Sequence, residues 1–468
     1  MTIAGKLAGF GLGVSVDDIP GSAYKAAMKL LLDALGCAVA GHDMPGIPEI
    51  GGQICDWGGK EEASLLLSGR KVPLPNAVFV NGAMIHALDF DDVYLPGTLH
   101  LTSTLVPVVL GAAEKAGASG GEALAALVMG IEISGQLGIA ERDRRRDNAF
   151  LPSSMLNGFG GVTSAARLFK MSPEQCVNAM GINYAQISGN RQALLDMTLT
   201  KRMQPAFAGR SAIWAVELAG RGITGPDRIF EGDAGYCRTY LDGNLFAPEE
   251  FELDLNRLQV ERVSIKRYPS CGACHNVQIA AERLFEEEKL VPDEIERVEI
   301  FNCGPGGLVG NPFKPGRNPQ VDAQFSVIWA VAHTLVHGPA TIADYGDDRV
   351  GNDRKVLEFC RRISFGRAPD DLPAEPPCPP DFPQYNSRYQ GLIVYTKDGR
   401  RLREAQCPAQ TFDPSNHDFE RTAVKFRQCV EFSGLAGKIR ADAIIDEVLN
   451  LRNGKSVGNL IKCLGRLP

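Results

Sequence analysis

The sequence has no run that approaches the ~18 uninterrupted apolar residues of a membrane-spanning helix. Its first residues also form no sustained apolar segment of the kind found in a secretory signal, so we expect a cytoplasmic protein with no membrane partner. Basic residues are in deficit, with 49 Lys and Arg against 56 Asp and Glu and a net charge of −7. Such a chain has no field that would hold a phosphate backbone, which argues against nucleic-acid binding.

A dense disulfide framework is absent too. The 12 cysteines are scattered from Cys37 to Cys463, a pattern typical of reduced, mostly buried thiols in a chain of 468 residues. Cys271 and Cys274 form a CxxC motif, but no second CxxC or HxxxH ligand pair completes a structural zinc site. The glycine-rich segment 304–310 follows a predicted strand but leads into Asn-Pro and not into a helix, so it does not predict a dinucleotide site.

The first half of the chain is a series of Ala-, Leu- and Gly-rich segments with helical spacing. Ser119 to Glu122 and Ser172 to Gln175 match the capping box that begins a helix. This composition predicts closely packed helices in an all-α domain. The predicted helices are 23–39, 75–90, 105–116, 122–139, 160–169, 174–186 and 211–221.

The pattern changes near residue 258, where strands begin to alternate with helices. The predicted elements there are strands 259–266 and 295–301, helices 276–289 and 323–336, and a hairpin of 391–396 with 401–405. Helical spacing returns from about residue 418. The predicted fold class is mainly α: a large all-α helical domain, residues 1–257 plus 411–468, with an inserted smaller α+β lid domain, residues 258–410.

Acidic side chains crowd the end of one predicted helix, in the segment NGAMIHALDFDD that begins at Asn81. His86 and Asp89 are three residues apart, which on a helix places them on one face within hydrogen-bonding reach. Asp91 and Asp92 add negative charge where the helix dipole disfavours it, and this indicates a function or a buried network. Clustered carboxylates also suit Mg²⁺ or Ca²⁺, so a divalent-metal site is the rival hypothesis.

Two lysines lie in apolar segments that are interrupted by Gly and Pro. Lys201 occurs in TLTKRMQPAFAGRSA, and Lys266 ends a predicted strand in SIKRYPSC. A single lysine is usually a solvated surface charge. Lys266, however, falls at the predicted domain junction, where ligand clefts tend to lie, and this favours a functional interpretation.

These segments, in this order and spacing, resemble the MmgE/PrpD family, which includes 2-methylcitrate dehydratase, cis-aconitate decarboxylase and iminodisuccinate epimerase. The matching pieces are NGAMIHALDFDD with a histidine shortly after it, TKRMQPAFAGRSA followed by RGITGP, IKRYPSCGACH, and VDAQFSVIWAVA. They span nearly the whole chain. The resemblance implies a helical domain with a smaller α+β lid, an active site between them, a homodimer, and no required cofactor or metal.

Carried over position by position, the resemblance implies that Asp89, His100, Lys201 and Lys266 are catalytic. It also implies that Arg210 and His275 bind the substrate. The chemistry is consistent, because removing a proton next to a carboxylate creates an enolate-like dianion that two lysines and a histidine would stabilise. Repulsion between the lysines and partial burial would lower one pKa, so that a neutral amine or imidazole acts as the base.

Three positions depart from the family pattern. Leu151 stands where dehydratase and decarboxylase relatives have histidine, in Phe-His-Pro. Val93 replaces a threonine found in some relatives, and Trp329 lies in a segment where relatives often carry tyrosine after Phe-Ser. These changes remove hydrogen-bonding groups and predict a more apolar pocket than in the familiar enzymes.

Three functions follow as hypotheses. The first is a lyase that dehydrates or decarboxylates a small di- or tricarboxylate. The second is an epimerase or isomerase on the same scaffold, which needs only an acid and a base on opposite faces of one carbon. Leu151 favours the second somewhat, since an epimerase has no leaving hydroxyl to protonate. The third is a non-catalytic binding protein that kept the fold.

Overall fold

Helices dominate the computed structural model, which describes residues 1–142, 144, 149–251, 253–303, 309–374 and 388–465. Helices make up 59% of the structure and the sheets are small, so the mainly α fold class is confirmed. Most of the glycine-rich segment 304–310 lies outside the described residues.

The α-helices among the described residues are numbered in chain order. They are α1 Ile3–Gly13, α2 Gly21–Gly41, α3 Ile47–Trp57, α4 Leu74–His86, α5 Thr102–Ala116, α6 Gly120–Arg142, α7 Pro152–Leu168, α8 Pro173–Tyr184, α9 Gln192–Leu195, α10 Thr200–Gly220, α11 Tyr236–Tyr240, α12 Gly272–Glu288, α13 Pro319–Gln324, α14 Val327–His337, α15 Asp347–Asn352, α16 Arg354–Phe359, α17 Pro408–Thr411, α18 Phe419–Phe432, α19 Ala441–Asn450 and α20 Gly458–Leu464.

The chain divides into two compact units. The first consists of Met1–Gln192, Thr200–Ile265 and His417–Pro468, and the second of Ala193–Leu199 and Lys266–Asn416. The domain boundaries derived from the sequence, and the lid role of the smaller domain, stay predictions.

Close helix crossings build the core of the first unit. Helices α6 and α7 pack against each other where Gly130 faces Gly160, and a Cβ atom on Gly160 would lie 2.3 Å from the Gly130 carbonyl oxygen and 2.2 Å from Ser134 Oγ. Ser164 Oγ, on α7, donates to the Ala126 carbonyl at 2.8 Å, which satisfies a polar group inside this crossing. Small residues therefore set the distance between the two helices.

Two helix starts agree with the sequence. Ser172 accepts a hydrogen bond from the Gln175 N–H, and the Gln175 side chain binds the Ser172 N–H, which is the predicted capping box. Ser119 and Glu122 make the same reciprocal contacts at the start of α6, at 2.8 and 3.2 Å. Ser119 is thus a helix cap, as its sequence context predicts.

Helix α6 is long and apolar enough, by length and composition alone, to cross a membrane. In the structure 94% of its apolar window is buried among the rest of the chain. It is the one such helix among the described residues. Burial of this kind is the behaviour of a core helix in a globular unit.

The second unit contains a four-stranded sheet. Its strands are β3 Ile295–Phe301, β4 Ile363–Phe365, β5 Gln390–Thr396 and β6 Arg401–Gln406; β1 Ala63–Ser64 and β2 Lys71–Val72 form a separate short pair in the first unit. The strand order is β4-β3-β5-β6, with β4 parallel to β3 and the other pairs antiparallel. Helix α12 packs on β5 and β6. The predicted strand 295–301 and the predicted hairpin are confirmed.

The predicted strand 259–266 is wrong. Residues Gln259–Arg262 form a 3-10 helix, and Ser264 makes only an isolated bridge to Val93. The main-chain N–H of Gln259 donates to the buried Glu132 carboxylate at 2.7 Å, so a side chain takes a donor that a sheet would have used. Burial in this segment does not alternate either, because residues 259–260 and 263–266 are buried in consecutive runs.

The predicted helix 323–336 is broken in the structure. Helix α13 ends at Gln324, and Ser326 then caps α14 by accepting from the Trp329 N–H at 3.1 Å. A serine side chain that competes for main-chain hydrogen bonds favours this restart.

Helix α10 begins at Thr200, well before the predicted start at residue 211. Pro205, a residue that disfavours a helix interior, lies inside it. The helix continues past Pro205 because the chain there is tightly packed: a Cβ on Gly82 of α4 would lie 3.2 Å from the Ala206 Cα atom. Lys201 is therefore a first-turn helical residue.

The cysteines among the described residues are free, and all except Cys55 and Cys463 are buried. This agrees with reduced, mostly buried thiols.

We predict that Gly160→Ala destabilises the first unit by roughly 1–3 kcal/mol, because the new methyl group collides with the main chain of α6. The matched control is Gly9→Ala in α1, where a Cβ atom meets nothing within 4 Å. That change is expected to raise stability by up to about 1 kcal/mol. Thermal unfolding should shift in opposite directions for the two variants, and an equal shift would contradict the close crossing.

Candidate active site

The candidate site begins where helix α4 ends, at His86. The chain then turns back, with the Asp89 N–H donating to the His86 carbonyl at 3.2 Å and Asp89 in the left-handed conformation, φ 50°. The expectation that His86 and Asp89 share a helix face is therefore wrong. A tight turn brings them near each other instead, with His86 Nε2 3.8 Å from Asp89 Oδ1.

Two side chains contact the amine of Lys201, and a third contacts one of those two. Lys201 Nζ lies 2.8 Å from His86 Nε2 and donates a short hydrogen bond to the Asp89 carboxylate. On the other side of the ring, His86 Nδ1 is 2.9 Å from both carboxylate oxygens of Asp91. His86 and Asp89 are each 2% exposed, and Asp91 is fully buried. The first unit thus holds a buried chain of alternating acidic and basic groups.

The hydrogen-bond partners define the tautomer of His86. A carboxylate only accepts, so Nδ1 carries the hydrogen that faces Asp91, and Nε2 of the neutral ring accepts from Lys201. Burial lowers the pKa of His86, with the charge of Asp91 opposing and that of Lys201 adding to this shift. The neutral ring is therefore favoured, and Lys201 as an ammonium ion donates to both His86 and Asp89.

His100 lies beside this chain, its ring centroid 5.3 Å from that of His86. Its Nδ1 is 2.7 Å from the main-chain oxygen of Asp92, which only accepts, so Nδ1 carries the hydrogen and Nε2 is the basic atom of the neutral ring. The His100 N–H donates to Ser153 Oγ at 2.9 Å, and Asn157 Nδ2 donates to the His100 carbonyl at 2.5 Å. Hydrogen bonds thereby hold both the main chain and the imidazole ring of His100 in place.

Asp92 links the site to helix α5. Its carboxyl group accepts from the N–H groups of Leu101 and Thr102, at 2.9 and 2.8 Å, and from Thr102 Oγ1 at 2.6 Å. Burial, together with the charge of Asp91, raises the pKa of Asp92 to about 7 in spite of these hydrogen bonds. One residue thus caps a helix with its side chain and orients His100 with its main chain.

The backbone of this segment is strained at two positions. Asp89 and Thr98 have φ angles of 50° and 58°, in the left-handed region that residues with a Cβ atom rarely occupy. Each costs on the order of 1–3 kcal/mol, and such a conformation persists where surrounding contacts determine it. Strain of this kind is typical of functional sites.

Arg210 is not brought to the cluster around Lys201. Both lie on α10, but at about 1.5 Å and 100° per residue Arg210 is roughly 14 Å further along the helix and on the opposite face. Its guanidinium group lies over the rings of Phe79 and Phe207, at 5.3 and 5.2 Å. Its substrate-binding role stays a prediction that this location does not favour.

Lys266 and His275 belong to the second unit. The Lys266 side chain is fully buried, a costly location for an amine and one that favours a specific role over a solvated surface charge. His275 lies on α12 between the rings of Tyr268 and Phe412, with centroids at 5.2 and 5.3 Å. The roles proposed for these two residues stay predictions.

The departures from the family pattern have different structural settings. Leu151 is the residue before α7, two positions from the Ser153 that binds His100. Val93 exchanges main-chain hydrogen bonds of 2.8 and 2.9 Å with Ser264. Trp329 is 1% exposed in the core of the second unit, 4.7 Å from the Tyr345 ring. Leu151 and Val93, which follows Asp92 in the chain, are thus the departures that border the first unit's site.

A divalent-metal site was the rival hypothesis for the acidic segment. Within the described part of the chain, no group of three or more His, Cys, Asp or Glu side chains is arranged to hold a metal ion. The carboxylates of Asp89, Asp91 and Asp92 face Lys201, His86 and the start of α5.

Several site residues were not identified from the sequence. The sequence predicts His86 only as a partner of Asp89, and its contacts with Asp91 and Lys201 depend on a turn that the helical spacing does not predict. Ser153 and Asn157 lie on α7, whose start was predicted later in the chain. The available signal was Pro152, a favoured first helical residue after an extended Leu151.

The chain is mainly helical, has a second unit that contains a sheet, and holds a cluster of lysine, aspartate and histidine side chains. Comparison with known protein families shows which family has these features. Residues 5–249 match the MmgE/PrpD N-terminal domain, and residues 268–451 match the MmgE/PrpD C-terminal domain. The chain belongs to the MmgE/PrpD family, as its motifs predict.

Its relatives carry two kinds of name. The chain is 27% identical to the cis-aconitate decarboxylase-like protein oryM of Aspergillus oryzae, over 95% of this chain and 93% of the relative. It is 25% identical to the cis-aconitate decarboxylase of Homo sapiens, over 83% and 79%. It is also 25% identical to the 2-methylcitrate dehydratase of Escherichia coli, over 73% of each chain.

The raised pKa of Asp92 predicts a pH dependence of stability. The unfolded carboxyl group loses its proton near pH ~4, whereas the native group keeps it to about pH 7, so stability falls as pH rises between these values. The slope from this group is at most ~1.4 kcal/mol per pH unit. Asp92→Asn should flatten the dependence of urea unfolding on pH in this window, whatever its effect on absolute stability.

The matched control for this measurement is Glu49→Gln, at an exposed glutamate on α3. It is expected to keep the wild-type slope. If Asp92→Asn kept that slope as well, the native carboxyl group would not hold its proton.

Proposed function

We propose that this protein is a lyase that removes a proton next to a carboxylate of a small di- or tricarboxylate, without a cofactor. The observation that carries the proposal is the Lys201 amine, held between Asp89 and His86 beside His100. Family membership and the relatives named cis-aconitate decarboxylase and 2-methylcitrate dehydratase support a lyase of this kind.

His100 is the base in this proposal. Its Nδ1–H is held by the Asp92 main-chain oxygen, which leaves Nε2 as the ring atom that accepts a proton from carbon. The electron pair of the broken C–H bond moves into the neighbouring carboxylate and forms an enolate-like dianion. The fixed charge of Lys201 stabilises this dianion more than the substrate, which is the requirement for catalysis.

The second step differs between the two lyase reactions. In a dehydration the C–O bond breaks and the hydroxyl group leaves as water after taking a proton. Protonated His100 supplies that proton, because it received one in the first step. In a decarboxylation protonated His100 instead returns its proton to a different carbon of the conjugated substrate. The C–C bond to a carboxylate then breaks, carbon dioxide leaves, and the electron pair left on carbon takes one further proton from solvent.

Replacement of His100 separates positioning from proton transfer. In His100→Asn the side-chain amide can still donate to the Asp92 oxygen but has no basic nitrogen, so kcat is expected to fall ~10²–10⁴-fold with little change in stability. Lys201→Met should lower kcat comparably through loss of the charge that stabilises the dianion. The control is Lys25→Met, at an exposed lysine on α2. Near-normal kcat in His100→Asn would remove His100 as the base.

The reaction type is tested with a panel of di- and tricarboxylates that includes cis-aconitate and 2-methylcitrate, in D₂O. A lyase produces carbon dioxide or a new ultraviolet-absorbing alkene. Deuterium at the α-carbon with no such product would identify an epimerase or isomerase and contradict the lyase proposal. Dialysis against a chelator is expected to leave the activity unchanged.

A binding protein without catalysis is the remaining alternative. Lys201→Ala and Lys266→Ala discriminate it from an enzyme. If the panel showed no turnover and both variants bound carboxylates as the wild type does, the enzyme proposal would fail. A homodimer stays a prediction, which sedimentation analysis of the purified chain tests.

A further inference from the structure

A lysine lies on the buried face of helix α18, where an apolar residue is expected. The buried positions of this helix repeat at helical spacing, and Lys425 is one of them at 7% exposure. An uncompensated amine in such a place is costly. The other buried positions of α18 are Thr422, Ala423, Phe426, Cys429 and Val430.

Three groups compensate the Lys425 ammonium. Its Nζ lies 2.7 Å from Asp33 Oδ1, on the neighbouring helix α2, and donates to the main-chain oxygen of Phe90 at 2.8 Å. The same Nζ is 3.6 Å from the centroid of the Phe90 ring, so the aromatic face also stabilises the charge. The Asp33 side chain is fully buried.

The Phe90 carbonyl is the main-chain group between Asp89, which binds Lys201, and Asp91, which binds His86. Helix α4 ends before it, at His86, so no helical N–H donor follows in register. The adjacent Asp89 is in the left-handed conformation. A donor from outside the segment is therefore needed at this oxygen, and Lys425 supplies it.

Electrostatic coupling also connects the pair to the site. Burial raises the pKa of Asp33, Lys425 opposes that shift, and the charge of Asp91 adds to it. The carboxyl groups of Asp33 and Asp91 are thus within electrostatic reach of each other. The Lys425 ammonium reduces their repulsion by pairing with Asp33.

We propose that Lys425 and Asp33 are positioning residues, which hold the main chain at Phe90 so that Asp89 and Asp91 keep their contacts with Lys201 and His86. The expected effect on turnover rests on the proposed function, whereas the expected effect on His86 rests on geometry alone. The contacts described above join Lys425 to Asp33 and to Phe90. Their influence passes through the chain of residues 89–91.

Single and double replacements distinguish positioning from plain stability. Lys425→Met leaves the Asp33 carboxylate buried without its cation and should lower both the melting temperature and kcat. In Asp33→Leu with Lys425→Met, the unpaired charge is gone and the melting temperature should recover most of its loss. The Phe90 oxygen still has no donor, so kcat should stay at least 10-fold low while KM changes less than about 3-fold. Recovery of kcat together with the melting temperature would overturn the proposal.

Imidazole ¹⁵N resonances test the same point without any substrate. The shifts of His86 should move in the double variant, because its Nδ1 contact with Asp91 is loosened. The matched control is Arg427→Met on the same helix α18, which removes an exposed ion pair with Asp442 of α19 and should leave the spectrum and kcat unchanged.

Unchanged His86 resonances in the double variant would overturn the positioning role. If the wild-type protein turned over no carboxylate, the proposed function would fail. The His86 resonances alone would still confirm or overturn the positioning role of Lys425 and Asp33. Should Lys425→Met not fold, the double variant carries both measurements.

Discussion

The Lys201 ammonium lies in a largely closed helical interior, and the structure around it follows from the need to pair its charge. Asp89 supplies a carboxylate and His86 Nε2 a second acceptor. The neutral His86 ring can accept at Nε2 only if Nδ1 carries the hydrogen. Nδ1 then needs an acceptor of its own, which the Asp91 carboxylate supplies. A buried network of polar groups is stable only when every group in it has a hydrogen-bond partner. One partly buried amine therefore fixes the tautomer of a histidine and the orientation of two carboxylates.

The same segment would not hold this arrangement on its own. Residues 87–100 contain two left-handed residues, and each is unfavourable without external contacts. The contacts come from separate elements: the Asp92 carboxyl group on the start of α5, the main-chain exchange of Val93 with Ser264, and Lys425 of α18 on the Phe90 oxygen. These tie a strained turn to rigid helices, so that the scaffold carries the cost of the site's geometry. Pre-organisation of this kind is what electrostatic stabilisation of a developing charge requires.

Patterns with a local cause could be predicted from the sequence. The capping boxes at Ser119 and Ser172 and the hairpin of β5 and β6 depend on neighbouring residues, strand 295–301 has a local strand pattern, and the structure confirms all of them. Segment 259–266 alternates like a strand, but within the described part of the chain it pairs only through the isolated bridge of Ser264 with Val93, so tertiary packing decided its structure. Lys425 gave no signal, because a lysine in an amphipathic helix is usually exposed, and its partners Asp33 and Phe90 are distant in sequence. The order of the motifs was enough to identify the family, whereas the turn after His86 could be recognised only in the structure.

Position 151 bears on how protons move in the proposed reaction. Leu151 precedes α7, whose Ser153 binds the His100 main chain, so an apolar residue lies where the family resemblance leads one to expect a histidine. The second proton transfer then falls to groups already in the site. If Lys201 gave up a proton, the buried Asp89 carboxylate would lose its cation, which is costly in a low-dielectric interior. Protonated His100 has no such penalty, because its proton came from the substrate. A single histidine that takes and returns one proton, beside a lysine that keeps its charge, is therefore the assignment that the buried charges favour.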